Sequence, residues 1–178
     1  MKQKLLSMLL LLTGVVQSVC AQEAYAVLSA DGNIVTFYYD TQKTSREGVV
    51  EIKNTYDTGN SAYGRATQAV IDKSFADYRP TSTAYWFQYC PRLETISGME
   101  NLNTEDVIDM RYMFHRCRVT SLDLSHLNTA NVKDMSHMFE RCSSLKELDL
   151  SNFNTIKVTK MNGIFSRCSF LRKLNLLN

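Results

Sequence analysis

Apolar positions in the second half of the chain recur with a period of about 26 residues. Phe87, Phe114, Phe139 and Phe165 are spaced by 27, 25 and 26 residues. Three residues after each stands a cysteine, Cys90, Cys117, Cys142 or Cys168, and twelve before each stands Phe75, Leu102, Leu127 or Phe153. A register this strict predicts small units that stack on one another. Within a unit the period changes. Leu148 and Leu150 alternate with Glu147, Asp149 and Ser151, the period of two of a short half-buried strand. Val132, Met135, Met138, Phe139 and Cys142 are spaced 3, 3, 1 and 3, which predicts one face of a short helix. Thr129 or Asn131 would cap its start. The fold class read from this pattern is an α/β repeat: a short solenoid with a strand plus a short helix per coil.

The first part of the chain does not repeat. Tyr25 to Ser29 and Ile34 to Tyr39 are rich in β-formers and flank Asp31-Gly32, so they predict a β-hairpin. Val49 to Ile52 is a candidate third strand, and Asn54 to Arg65, with its glycines and asparagines, reads as an exposed loop. Ala69-Val70-Ile71 followed by Phe75 echoes the repeat. The expected organisation is a signal peptide over residues 1–21, a β-rich cap with its hairpin over 22–65, and a solenoid over 66–178. Its first coil is degenerate and its last incomplete.

The motif Met-Phe-x-x-Cys-x-x-Leu-x-x-Leu-Asp-Leu-Ser-x-Phe-x-Thr-x-x-Val-x-x-Met runs through residues 138–161. It resembles the repeat of BspA-like leucine-rich repeat surface proteins, also described as a bacterial surface 26-residue repeat or DUF285. Residues 113–135 match with one deletion between Cys117 and Leu122, 164–176 match the first half, and 87–110 match more loosely, with Ser97-Gly98 in place of Asp-Leu. The resemblance implies a leucine-rich-repeat-like solenoid on a secreted or surface protein of host-associated bacteria. It implies adhesive roles and no common enzymatic activity.

Lys2 and Lys4, the apolar run Leu5 to Val16 and the small residues Val19-Cys20-Ala21 have the layout of an export signal too short for a comfortable membrane span. Lipid anchoring at Cys20 is the alternative to simple cleavage. Without that leader the chain is formally neutral, which gives no support for nucleic-acid binding. No second segment approaches the length of a transmembrane span. Four cysteines in an exported chain would suggest two disulfides. Their identical repeat position instead predicts a buried ladder of free thiols, because equivalent Cβ vectors point the same way. A Cys90–Cys117 or Cys142–Cys168 bridge is the alternative.

Repeated Leu, Val, Met and Phe are core by default. Better candidates for a binding surface are the polar ladders: Asp123, Asp149 and Asn175 between the strand leucines, and Arg116, Arg141 and Arg167 before Cys117, Cys142 and Cys168. Asn103-Thr104, Asn128-Thr129 and Asn154-Thr155 predict structural turns. His115, His126 and His137 fall at three different repeat positions, so no metal site is expected, and no cofactor. No nucleophile elbow, phosphate loop or dinucleotide fingerprint is present. The expected function is that of a non-catalytic, surface-exposed bacterial binding module for a protein or glycan on a host or neighbouring cell. The rival is a structural or assembly protein, or a truncated fragment of a longer one, self-associating through its C-terminal coil.

Overall fold

The computed structural model of the chain describes residues 21–56 and 62–176. Nearly all of the expected leader, Cys20 included, lies outside the described residues. The lead-in folds as sheet. Strands β1 (Glu23–Leu28) and β2 (Ile34–Asp40) pair antiparallel, with Tyr25 opposite Tyr38 and Leu28 opposite Val35. The Asp31 carboxylate organises the connecting turn by accepting from Ser29 Oγ, Asn33 N–H and Asn33 Nδ2 at 2.6, 3.0 and 2.9 Å. Strand β3 (Val49–Val50) pairs antiparallel with β1. On the other side β2 pairs parallel with β4 (Gln68–Ile71), and β4 with β5 (Thr95–Ser97). The lead-in and the first repeat strands therefore share one mixed sheet of order β3-β1-β2-β4-β5. A second, two-stranded parallel sheet joins β6 (Glu147–Leu150) to β7 (Lys173–Leu176).

The expected strand-plus-helix solenoid does not form. The described residues contain no α-helix, only 3-10 turns at Lys43–Ser45, Lys73–Asp77 and Met99–Asn101. In place of the expected helix, the chain makes successive turns. Met138 N–H donates to Met135 C=O, Glu140 N–H to His137 C=O and Cys142 N–H to Phe139 C=O, at 3.1–3.2 Å. Two left-handed residues, His137 (φ 59) and Arg141 (φ 61), break any helix there. The same pair recurs as Tyr85 and Tyr89, Tyr112 and Arg116, and Gly163 and Arg167. Positive φ at the third position of a turn reverses the chain in the manner of a type II turn.

The physical cause is where the amides go. Met135, His137, Phe139 and Arg141 donate to the carbonyls of Lys160, Asn162, Ile164 and Ser166 in the next unit, at 2.8–3.0 Å. Met110, Tyr112, Phe114 and Arg116 donate likewise to Asp134, Ser136, Met138 and Glu140, and Thr83, Tyr85, Phe87 and Tyr89 to Asp109, Arg111, Met113 and His115. An α-helix would send each of these amides back along its own chain. Parallel bridges Ser82–Asp109, Asp109–Asp134 and Asp134–Lys160 mark the same stack.

The core runs along the stack. Phe87, Phe114, Phe139 and Phe165 lie face to face, with centroids 5.6, 5.6 and 5.9 Å apart and planes within 10°. At the head of the row Phe37 stacks on Trp86 and meets Phe75, Tyr63 and Phe87 edge-on. Tyr63 is fully buried, which corrects the reading of residues 54–65 as an exposed loop throughout. The four repeat cysteines are free, and all but Cys168 are buried. Cys117, Cys142 and Cys168 each direct Sγ at a carbonyl of the preceding unit, Phe87, Phe114 or Phe139, at 2.9–3.0 Å.

Candidate binding faces

The left-handed residues place their side chains outside the phenylalanine row, on what becomes a turn face. Tyr85, Tyr112 and His137 form an outer aromatic spine, stacked at 5.5 and 4.6 Å. Tyr56 meets Tyr85 and Tyr112 edge-on. Cations flank the spine. The Arg111 guanidinium lies 5.6 Å from the Tyr85 ring and 3.1 Å from Asp109, and the Arg116 guanidinium lies 4.5 Å from the Tyr89 ring. The Lys53 ammonium approaches the same Tyr89 ring at 5.9 Å. Because the spine rings cover one another's faces, they offer edges, hydroxyls and neighbouring cations to solvent rather than a flat platform.

Glu140 gathers two of the three histidines. Its Oε2 lies 2.8 Å from His137 Nδ1 and 3.9 Å from His115 Nε2, without an aligned hydrogen bond, and either contact is an ion pair only when that ring is protonated. Burial pushes the His115 pKa down to about 4, against the pull of Glu140. An unfolded histidine takes its proton near 6.5, so between about 6.5 and 4 the unfolded chain binds the additional proton. Stability therefore falls as the pH drops through that window, by up to about 3 kcal/mol. Urea titrations at pH 7 and 4.5 should show that slope in the native chain and a smaller one in His115→Gln; equal slopes would refute the assignment. His126 sits elsewhere, exposed, in a polar groove with Glu100, Asn103 and Asn128. Among the described residues no three His, Cys, Asp or Glu side chains cluster as metal ligands.

The expected polar ladders fall on separate parts of the surface. Asp149 on β6 and Asn175 on β7 are exposed neighbours, with Asn175 Nδ2 donating to Asp149 Oδ2 at 3.0 Å. The Ser151 side chain, then that bond, then the Ser151 amide hold the Asp149 carboxyl down at about 2. Asp123 is exposed but belongs to no strand. It accepts from Ser125 Oγ and N–H at 2.7 and 3.0 Å, which lowers its pKa. Arg116 and Arg141 join the turn face, Arg141 with Nε 3.7 Å from Glu140 Oε1, and Arg167 is exposed at the far end of the stack. The aspartate row and the arginine row therefore do not converge on one site. The tyrosine spine is absent from the sequence-based expectations. Its signal is an aromatic or histidine two residues before each phenylalanine at 87, 114 and 139.

Three of the four repeat thiols are poor nucleophiles here. Burial raises Cys142 to about 12 and lifts Cys117 and Cys168 as well. A third surface lies at the C-terminal end of the stack. It is an apolar groove of about 240 Å³ lined by Leu150, Phe153, Met161, Ile164, Phe165 and Leu176, among others. No helix among the described residues is long and apolar enough to cross a membrane.

A family model described as "Mycoplasma protein of unknown function, DUF285" matches residues 81–177. No curated protein matches the chain, and no solved structure does.

Proposed function

The chain belongs to the DUF285 family, and from that premise we propose that it is an exported, surface-exposed binding module that recognises a protein or glycan on a host or neighbouring cell and carries out no reaction on it. The observation that carries this reading is the turn face. Tyr56, Tyr85 and Tyr112 stand there beside Arg111 and Arg116, the aromatic and arginine composition typical of recognition surfaces. The silent thiols fit a non-catalytic role. Kinship with BspA-like surface proteins, and export through residues 1–21, are part of the same proposal and rest on the sequence resemblance. A structural or assembly role is the second reading, favoured by the uncovered apolar groove.

The test is binding of the purified chain to host cells and to arrayed glycans and surface proteins. An Arg111→Ala/Arg116→Ala variant should lose at least tenfold in affinity while keeping its thermal midpoint within a few degrees. An Asp149→Ala variant should bind as the native chain does. Unchanged binding by the double arginine variant would remove the turn face from the reading.

A further inference from the structure

The second repeat unit is one residue short, and the shortage opens a groove. Four residues separate Cys117 from Leu122, where five separate Cys90 from Ile96, Cys142 from Leu148 and Cys168 from Leu174. In the full-length units the segment leading into the strand lies against the unit before it. Thr67 C=O accepts from the amides of Glu94 and Thr95, at 2.8 and 3.4 Å, and Lys146 C=O from those of Arg172 and Lys173, at 2.9 and 3.3 Å. The short unit does not reproduce this on either side. Among the described residues Glu94 C=O accepts no backbone amide, and Thr120 C=O accepts only that of Lys146, at 3.3 Å. An open groove of about 420 Å³ lies along this seam, lined from four successive units.

The lining is chemically mixed. Arg118 and Lys146 bring two cations, and neither side chain is paired among the described residues. Thr95, Thr120 and Ser144 bring hydroxyls that no other group engages, and Glu94 brings one carboxylate. Phe170 stands at the groove 54% exposed and touches no other ring. That exposure belongs to its position in the unit. Arg92 is exposed at the same place in the first unit and Ser144 half-buried in the third, although further units follow both. The groove shares no lining residue with the groove around His126 or with the apolar groove, and none of its residues belongs to the tyrosine spine.

We propose that this groove binds a sugar that carries a negative charge, as a carboxylate or a sulfate. The two unpaired cations supply charge-assisted hydrogen bonds to the anion. The negative face of the Phe170 ring attracts the partly positive C–H groups on one side of a pyranose. The three hydroxyl side chains and Glu94 exchange hydrogen bonds with the sugar hydroxyls. An acidic peptide would use the cations but leave the exposed ring and the hydroxyls without a matched counterpart. A neutral sugar would leave the cations unused. The groove is distinct from the turn face, so this inference goes beyond the reading above and is tested apart from it.

The probes are methyl glucuronoside and a methyl glucoside sulfated on its primary hydroxyl, with neutral methyl glucoside and N-acetylaspartate as controls. Each is titrated into the full chain and followed by NMR of the Thr120 and Ser144 amides and the Phe170 ring. At least one anionic sugar should give saturable shifts in the millimolar range, weakened by added salt as exposed cations are screened. The tighter of the two tells carboxylate from sulfate. Both controls should bind at least tenfold more weakly. Arg118→Gln/Lys146→Gln and Phe170→Ala should each lower affinity at least tenfold while keeping the thermal midpoint within a few degrees. Arg111→Ala/Arg116→Ala, which alters the turn face alone, should bind these sugars as the native chain does. The absence of saturable shifts with both anionic sugars would overturn the proposal. So would equal binding of either control, undiminished binding by either groove variant, or an equal loss in the turn-face variant.

Discussion

Phe114→Ala should destabilise the chain by about 3–5 kcal/mol, the cost of a large cavity in a close-packed core. Phe114 is fully buried and lies between two rings, Phe87 and Phe139, nearly parallel to both at 5.6 Å. Its removal leaves a void that backbone held by hydrogen bonds on both sides cannot collapse into. Phe165 is the control. It is only partly buried and stacks on one ring, Phe139, at 5.9 Å, so Phe165→Ala should cost less than half as much. Urea denaturation of the two variants measures the difference. A domain stable by about 5–15 kcal/mol has little margin left after the first substitution. Equal costs would mean that the phenylalanine row is not one continuous core.

Gly98→Ala should be nearly as damaging, by at least about 3 kcal/mol, through a different mechanism. Gly98 has φ 76, and a Cβ added there would overlap the carbonyl oxygen of Ile71. That oxygen already accepts from Asn101 Nδ2 at 3.0 Å, so it has no room to retreat. The clash falls where β4 and β5 meet the first repeat. Gly32→Ala separates backbone strain from contact. Gly32 has nearly the same φ, 72, but a Cβ there would meet nothing within 4 Å, so the substitution should cost only about 1 kcal/mol. Thermal melts of the pair decide it; similar losses at the two sites would show that strain alone, not the Ile71 contact, sets the cost.

The period of the stack is legible in the sequence because packing repeats it in apolar residues, Phe114 and Cys117 above Phe139 and Cys142. The form of each unit is not. Val132, Met135, Met138, Phe139 and Cys142 have helical spacing, yet two turns broken by left-handed residues bring the same positions inward. Glycine would have announced those turns, but only Gly163 does; Tyr85, Tyr112, His137 and the arginines hold positive φ without that signal. The strand expected around Asp123 fails for a local reason. The one-residue deletion after Cys117 shortens that unit, and residues 121–124 stay irregular between β5 and β6. Of the candidate site, the arginines before the last three repeat cysteines are legible as a repeated polar position. The tyrosines they accompany are not, because Tyr85 and Tyr112 give way to His137 and Gly163 in later units and so leave no constant residue type to mark the row.

The alternating amide row also determines how the molecule yields to force. Each unit is held to the next by four parallel bonds in the turn row, and each interface lies across the axis of the stack. A pull applied through β7 enters at the interface between the last two described units. The load then falls on a single interface at a time, and units detach in order from Phe165 back towards Phe87. The opposite end, where Tyr63 packs against Phe37 and donates to the Trp86 carbonyl and where β2 and β1 extend the sheet beside β4, is the last part to give way. A chain built this way behaves under tension as a graded extensible tether rather than as a bead that bursts at one threshold.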